Sequence, residues 1–317
     1  MKCGKRKDQL IKYSRKQFII EYIHKGVPVI VELESNAKIN LGLNIVGKAE
    51  NGYHLLDMVM VPISLSDELS INFKEIKGNL KINTNMKEIP VGKDNIISKI
   101  YMEFYKETGL EKQMIEVYLK KNIPSQAGLG GGSSNGAFFF NVLNEYYGNP
   151  INFQRAVEIT KEIGADIPFF LLNKPSRVEG IGENLEVIEN NIKDKIILIK
   201  PNFGVSTVVA YKNYAKLENK KDADIDKIIK GMRSGNLDEL ENYLENHLEQ
   251  GLLLEDKNII EFRKNLEKFG KAQGIKFHMS GSGSCYYTFV EKDNIDRIYD
   301  KIKTTMEGCK VEICSFL

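Results

Sequence analysis

The sequence predicts a two-domain α+β protein, and three observations lead there. Apolar residues recur at period two in the first half, as Ile39, Leu41, Leu43 and Ile45, the spacing of a strand with one buried face. A glycine-rich loop at 128–132 runs into two serines and the apolar run Ala137-Phe138-Phe139-Phe140, which reads as a helix entered through a flexible turn. From 222 to 269 the pattern becomes helical and charged, and strand-like runs return near the C-terminus. A chain of 317 residues has room for two domains. Composition shifts near 185–195. The expected division is a basic extension over 1–27, an N-terminal domain over 28–188 and a C-terminal domain over 189–317.

Taken in order, 27–33 and 38–46 read as the first two strands. Asn51-Gly52 signals a hairpin turn. Residues 59–65 and 68–73 continue the β pattern. Asp94 is the expected N-cap of a helix over 95–105, with Ile96, Ile97, Ile100 and Phe104 on its inner face. A strand at 115–119 precedes the glycine loop and a helix that runs to Tyr147. Asn152 can cap a helix that Gly164 stops. Residues 166–173 and 176–188 read as extended, and 196–200 as a short strand. Within 222–269, Leu237, Leu240, Leu244 and Leu248 form one apolar face, with His247 a bystander beside it. Strands at 277–279, 286–290 and 311–316 and a helix near 293–305 complete the chain.

Composition excludes several classes. Lys+Arg 45 against Asp+Glu 43 leaves +2, so global charge gives no signal for nucleic acid. No apolar run reaches the length of a membrane span. The spacing of Cys3, Cys285, Cys309 and Cys314 matches no zinc pattern. Cys309 and Cys314 read as packing residues, and the simplest compartment is a reducing, cytoplasmic one. The first 27 residues carry Lys2, Lys5, Arg6, Lys7, Lys12, Arg15, Lys16 and Lys25 against only Asp8 and Glu21, with helical periodicity over 10–23. Such an arm can touch a membrane surface, nucleic acid or a partner, but charge runs more commonly just face solvent.

Residues 125–136, Ser-Gln-Ala-Gly-Leu-Gly-Gly-Gly-Ser-Ser-Asn-Gly, carry the strongest chemistry. A loop that ends on a helix N-terminus presents free N–H groups and a positive dipole end, which suits phosphate. No lysine follows the glycines, so this is not a Walker A loop. The third glycine of a dinucleotide fingerprint is missing, and the preceding strand stops too early for a Rossmann turn. Taken alone, the loop is equally a helix entry with no ligand.

Four smaller constellations surround it. Lys38, in Asn36-Ala37-Lys38-Ile39-Asn40, could stabilise transferring phosphate oxygens, although an exposed strand lysine is the commoner meaning. Asp166, in Gly164-Ala165-Asp166-Ile167-Pro168, is a general-base candidate, although loop aspartates more often cap local backbone. Tyr53 and His54 could recognise a flat base by stacking and hydrogen bonding, or simply pack. A second Gly/Ser loop, Met279-Ser280-Gly281-Ser282-Gly283-Ser284, can bring N–H groups to an anion or be an ordinary turn.

The order and spacing of these segments resemble the superfamily of galactokinase, homoserine kinase, mevalonate kinase and phosphomevalonate kinase. Its three hallmark segments are matched by Ala37-Lys38-Ile39-Asn40-Leu41, 124–135 and 279–283. Gly52-Tyr53-His54-Leu55-Leu56, Asp94-Asn95, Gly164-Ala165-Asp166-Ile167-Pro168-Phe169 and Glu179-Gly180-Ile181-Gly182-Glu183 narrow the resemblance to one branch. Its members phosphorylate the 2-hydroxyl of a cytidine diphosphate-linked methylerythritol in non-mevalonate isoprenoid precursor synthesis. The likeness runs from about residue 33 to the end.

The resemblance implies a two-domain small-molecule kinase fold, with an N-terminal ribosomal-protein-S5-like domain and a C-terminal ferredoxin-like domain. It implies ATP and Mg²⁺ as cofactors. Asp166 matches the catalytic base, and Lys38 the lysine that steadies that aspartate and the developing charge. Gly128, Leu129, Gly130, Gly131, Gly132, Ser133 and Ser134 match the phosphate loop, with either serine a candidate for Mg²⁺ or phosphate. Asn95 and Lys121 fall at nucleotide-site positions. Asn40, Tyr53 and His54 match the substrate side, with Tyr211 on the opposite face of the cytosine. The implied partner is this small molecule, with no nucleic acid or membrane, and a monomer or homodimer. The family usually has proline near Ser35 and Asn36, more glycine at Gln126 and Ala127, and proline at Ser284. Two rivals remain: a superfamily kinase acting on homoserine or a mevalonate-type alcohol, and a non-catalytic nucleotide- or nucleic-acid-binding protein. Tyr53, His54 and Tyr211 argue against the first, and the presence of both Lys38 and Asp166 against the second.

Overall fold

The computed structural model describes residues 9–12, 29–50 and 52–317. Of the basic stretch 1–27, only Gln9–Lys12 is among them. It is a strand, β1, paired in parallel with Val29–Glu32, so residues 10–12 are extended where the periodicity suggested helix. The rest of 1–27, with Cys3, and the hairpin residue Asn51 lie outside the described residues.

Two long strands replace the four short ones expected near the N-terminus. β2 covers Val29–Lys48 and β3 covers His54–Lys77. The apolar runs are interrupted by Ser35 and Asp67, but both are fully buried on the inner face. A polar residue with a buried partner breaks the apolar pattern without breaking the strand. Between the strands, the Ala49 N–H donates to the Tyr53 carbonyl at 2.8 Å and the Gly52 N–H to the Ala49 carbonyl at 2.9 Å.

The remaining elements fall into two compact units, each discontinuous in sequence. The first holds the described residues up to Asn36, Ser66–Ile123 and Gly131–Leu172. In it β4 (Leu80–Thr84) runs parallel to β5 (Gln113–Lys120), and β5 runs antiparallel to β3 over Glu68–Phe73. Its helices are α1 (Ile96–Thr108), α2 (Gly131–Tyr146), α3 (Phe153–Lys161) and α4 (Ile167–Leu172). α2 packs on α1 and α4, and Phe104, Phe139, Phe140, Phe169 and Phe170 are buried in the core. The cap of α1 is Asn95 rather than Asp94, its side chain accepting from the Ile97 N–H at 2.9 Å. Asn152 caps α3 as expected. Residues 167–172 are helical, where 166–173 read as extended. Pro168 sits in the first turn, where its missing N–H costs no helical bond, and Ile167, Phe169 and Phe170 gain a buried face there.

The second unit holds Ala37–Leu65, Pro124–Gly130 and Asn173–Leu317. β6 (Ser176–Gly180) pairs antiparallel with Leu56–Met60 of β3 and with β7 (Asn184–Val187). A separate sheet is built from β8 (Lys195–Lys200), β9 (His278–Met279), β10 (Tyr286–Val290) and β11 (Lys310–Cys314), all antiparallel in the order β11-β8-β10-β9. The helices are α5 (Thr207–Tyr214), α6 (Ile225–Ser234), α7 (Leu237–Glu241), α8 (His247–Glu255), α9 (Lys257–Gln273) and α10 (Ile295–Thr305). The single apolar face expected over 237–248 is split, because the Asn246 side chain caps a new helix within it, as Asn236 and Asp256 do on either side. Such residues compete with the helix ladder and favour caps. Cys285, Cys309 and Cys314 are free thiols, and burial pushes Cys285 and Cys314 up to about 12, as inert packing residues should be. No helix among the described residues is long and apolar enough to cross a membrane.

Candidate active site

The predicted site residues divide by unit. Lys38, Asn40, Tyr53, His54, Gly128, Leu129, Gly130 and Tyr211 belong to the second, and Asn95, Lys121, Gly131, Gly132, Ser133, Ser134 and Asp166 to the first.

In the second unit three loops interlock. Lys38 and Asn40 share one face of β2, as two-residue spacing requires, and both are buried. The Lys38 ammonium donates to Asn40 Oδ1 at 2.5 Å and to the Gly128 carbonyl at 2.8 Å. Its backbone N–H donates to the Leu129 carbonyl at 3.1 Å. The Ser280 hydroxyl also donates to the Gly128 carbonyl, at 2.9 Å, and a Cβ on Gly281 would stand 3.0 Å from the Lys38 ammonium. The Ser284 and Cys285 N–H groups donate to the Gln126 and Ala127 carbonyls. Lys38, the glycine loop and the second Gly/Ser loop are thus one cluster. Gln126 has φ +49°, a left-handed backbone. Left-handed backbone disfavours residues with a Cβ, which fits the additional glycine that the resemblance implies around Gln126 and Ala127.

In the first unit α2 starts at Gly131, immediately after the loop. Its first-turn N–H groups have no intrahelical partners and carry the positive dipole end. Gly132 is exposed, while Ser134 is buried and, among the described residues, its Oγ finds no hydrogen-bond partner. Asp166, half-buried, immediately precedes α4. A Cβ on Gly164 would stand 3.7 Å from the Ser133 hydroxyl oxygen, so the Gly-Ala-Asp turn lies against the glycine-loop serines.

Asn95 and Lys121 make local contacts. Asn95 caps α1 and donates to the Pro90 carbonyl at 2.7 Å. The Lys121 ammonium forms a buried ion pair with Asp67 and donates to Asn135 Oδ1 at 3.1 Å. Asp67 also accepts from the Asn122 and Ile123 N–H groups and from Asn135, and Asn135 donates to the Ser35 hydroxyl at 2.7 Å. The Ser35 hydroxyl completes this network. The network holds the end of β5 against the first turns of α2. Sequence reasoning missed Asp67; its signal is a carboxylate at period two with Leu69, Ile71 and Phe73, on the apolar face of a strand-forming run. Asp67→Ala strands a buried ammonium, so urea unfolding should show a loss of about 3–5 kcal/mol. A loss below 1 kcal/mol would mean that the pair does not brace the loop.

On the substrate side, the His54 and Tyr211 rings are stacked, with centroids 4.6 Å apart and planes 19° apart. Burial, reinforced by the nearby Lys48 charge, holds the His54 pKa below its ordinary value. The imidazole is therefore neutral at neutral pH and can both donate and accept. Tyr53 is 57% exposed, available to a ligand rather than to the core.

The fold and the interlocked loops define a GHMP kinase. The N-terminal domain family of GHMP kinases matches residues 95–174 and the C-terminal family residues 228–308. A curated 4-diphosphocytidyl-2-C-methyl-D-erythritol kinase of Fusobacterium nucleatum is 48% identical over 281 residues, covering 88% of this chain and 95% of that protein. The enzyme of the same name from Clostridium tetani is 36% identical, covering 86% and 96%. A crystal structure of a 4-(cytidine 5'-diphospho)-2C-methyl-D-erythritol kinase superposes with a TM-score of 0.71 at 25% identity, over 90% of this chain and 99% of that one. Homoserine kinase from Cytophaga hutchinsonii shares the fold, with a TM-score of 0.68 at 15% identity over 91% and 97%. The chain belongs to the 4-diphosphocytidyl-2-C-methyl-D-erythritol kinase family.

Proposed function

We propose that the chain transfers the γ-phosphoryl group of ATP to the 2-hydroxyl of 4-diphosphocytidyl-2-C-methyl-D-erythritol. The observation that supports this reading is the approach of Gly164, two residues before Asp166, to Ser133 in the first turn of α2. Phosphoryl transfer asks mainly for positioning and charge stabilisation. The α2 N-terminus and the loop N–H groups hold the phosphates. Asp166 accepts the proton of the acceptor hydroxyl, and Lys38 offers its ammonium to the developing charge. The free oxygen of Ser134, with Ser133 beside it, suits a hard cation that prefers oxygen ligands. Mg²⁺ held there would supply positive charge to neutralise the phosphate during transfer. Tyr53, His54 and Tyr211 hold the cytosine, and Asn40 reaches the same substrate from the Lys38 face. Entry of the base between His54 and Tyr211 parts the two rings, which in contact leave no room for a third. The buried free thiols fit a cytoplasmic enzyme.

With ATP and Mg²⁺, the cytidylyl substrate should release ADP while homoserine and mevalonate release none. The opposite pattern would transfer the assignment to another branch of the superfamily. Tyr211→Ala should raise KM for the cytidylyl substrate by roughly five- to a hundredfold, the value of one lost base stack, with KM for ATP unchanged. Equal effects on both substrates would remove Tyr211 from the cytosine site.

A further inference from the structure

His247, which sequence alone left as a bystander, is 1% exposed and sits at the start of α8. Its Nδ1 accepts the Ile45 N–H at 2.9 Å, and its Nε2 lies 2.8 Å from the Asp222 carboxylate. Acceptance at Nδ1 leaves Nε2 to carry the proton of the neutral ring. The ring stacks on Tyr214, with planes 14° apart and centroids 5.7 Å apart. The Tyr214 ring in turn stands perpendicular to that of His54, with centroids 6.0 Å apart and planes 86° apart. The Tyr214 hydroxyl donates to the Ile45 carbonyl at 3.3 Å and accepts from Lys220 at 2.6 Å.

Ile45 is therefore held at both its N–H and its carbonyl by side chains. It lies near the end of β2, just before the turn that delivers Tyr53 and His54. Two residues earlier, the Leu43 N–H donates to the Glu245 carbonyl at 2.9 Å. Asn246 thus forms an isolated parallel bridge with Leu43 of β2, and the ring of His247, the first residue of α8, accepts the Ile45 N–H two residues further along the strand. Tyr211 and Tyr214, three residues apart on α5, share a face as helical spacing dictates. Tyr211 stacks on the His54 ring and Tyr214 stands perpendicular to it.

We propose that Tyr214 and His247 are positioning residues for cytosine recognition, fixing the orientation of His54 and the strand end that carries it. The inference rests on the reading of His54 and Tyr211 as the cytosine site. Neither residue touches the reacting atoms, so the effect belongs in KM for the cytidylyl substrate.

Steady-state kinetics of the full chain, varying ATP and 4-diphosphocytidyl-2-C-methyl-D-erythritol separately, test it. Tyr214→Leu should raise KM for the cytidylyl substrate about three- to tenfold, the fold-change of one lost aromatic edge contact. KM for ATP and kcat should stay within about twofold, smaller than that contact would cost. His247→Ala should act in the same direction, and His247→Asn, whose side-chain oxygen can still accept the Ile45 N–H, should restore part of the loss. Circular dichroism confirms folding, and if Tyr214→Leu does not fold, the His247 pair decides. Folded variants with unchanged KM, or with both KM values and kcat altered together, would overturn the inference, as would equal KM for His247→Ala and His247→Asn. Tyr211→Ala is the control. If wild type turns over the substrate and Tyr211→Ala shows its expected KM, unchanged positioning variants refute this inference alone. If wild type gives no turnover, the reading beneath it fails and the inference with it.

Discussion

Asp166→Asn should lower kcat by about 10²–10⁴-fold, the usual worth of a positioned general base, while leaving the fold and ATP affinity intact. Asparagine keeps the size of the side chain and one acceptor oxygen, but it cannot take a proton. The surrounding turn has backbone and apolar anchors of its own. The Ile167 N–H donates to the Gly164 carbonyl at 3.0 Å, and the helix that follows is anchored by the buried Ile167, Phe169 and Phe170. Thermal unfolding of the variant should therefore match wild type. Single-turnover release of ADP separates the chemical step from binding: the burst rate should fall by the same factor as kcat. Equal turnover in the variant would remove Asp166 from its role and leave the glycine loop and Lys38 to act by electrostatics alone.

The local half of this protein was legible in its sequence. Period-two alternation located β2, a short polar residue located the cap of α3, and the glycine-serine run located the start of α2. The α+β class follows from those patterns, and the kinase fold from the resemblance of the motif-bearing segments to a known superfamily. Less legible were features decided by partners distant in sequence. Ser35 and Asp67 look like strand breakers until Asn135 and Lys121 meet them, and these pairs are 100 and 54 residues apart. Pro168 suggested extended backbone before it, but the apolar face of 167–172 outweighed that local bias. The leucines over 237–248 share one helical period, yet Asn246 caps a fresh helix and breaks it. His247 carries no sequence signal, because its role depends on one backbone N–H of β2 and one ring of α5. The long-range pairings also place the first parts of β2 in one unit and its later part in the other, which no pattern within the strand announces.

Gly128→Ala should cost more than any other single methyl in the glycine loop, in both stability and rate. Two effects combine there. Gly128 has φ +70°, where a Cβ carries a penalty of about 1–2 kcal/mol. That Cβ would also lie 1.9 Å from the Ser280 carbonyl oxygen, a backbone atom that cannot rotate aside. Either the second Gly/Ser loop moves or the Gly128 peptide does. Both movements pull the Gly128 carbonyl away from the Lys38 ammonium and the Ser280 hydroxyl, which it now joins at 2.8 and 2.9 Å. A displacement near 1 Å of a catalytic group costs about 10²-fold in rate, so kcat should fall by at least that order. Gly274→Ala separates the two effects. It has nearly the same backbone, φ +71°, at the end of α9, but a Cβ there meets nothing within 4 Å. It should lose only the conformational term in urea unfolding and keep its activity. If Gly128→Ala lost no more stability than Gly274→Ala and kept wild-type turnover, the contact of the glycine loop with Ser280 would be slack. The position of Lys38 would then have to be set by Asn40 and β2 instead.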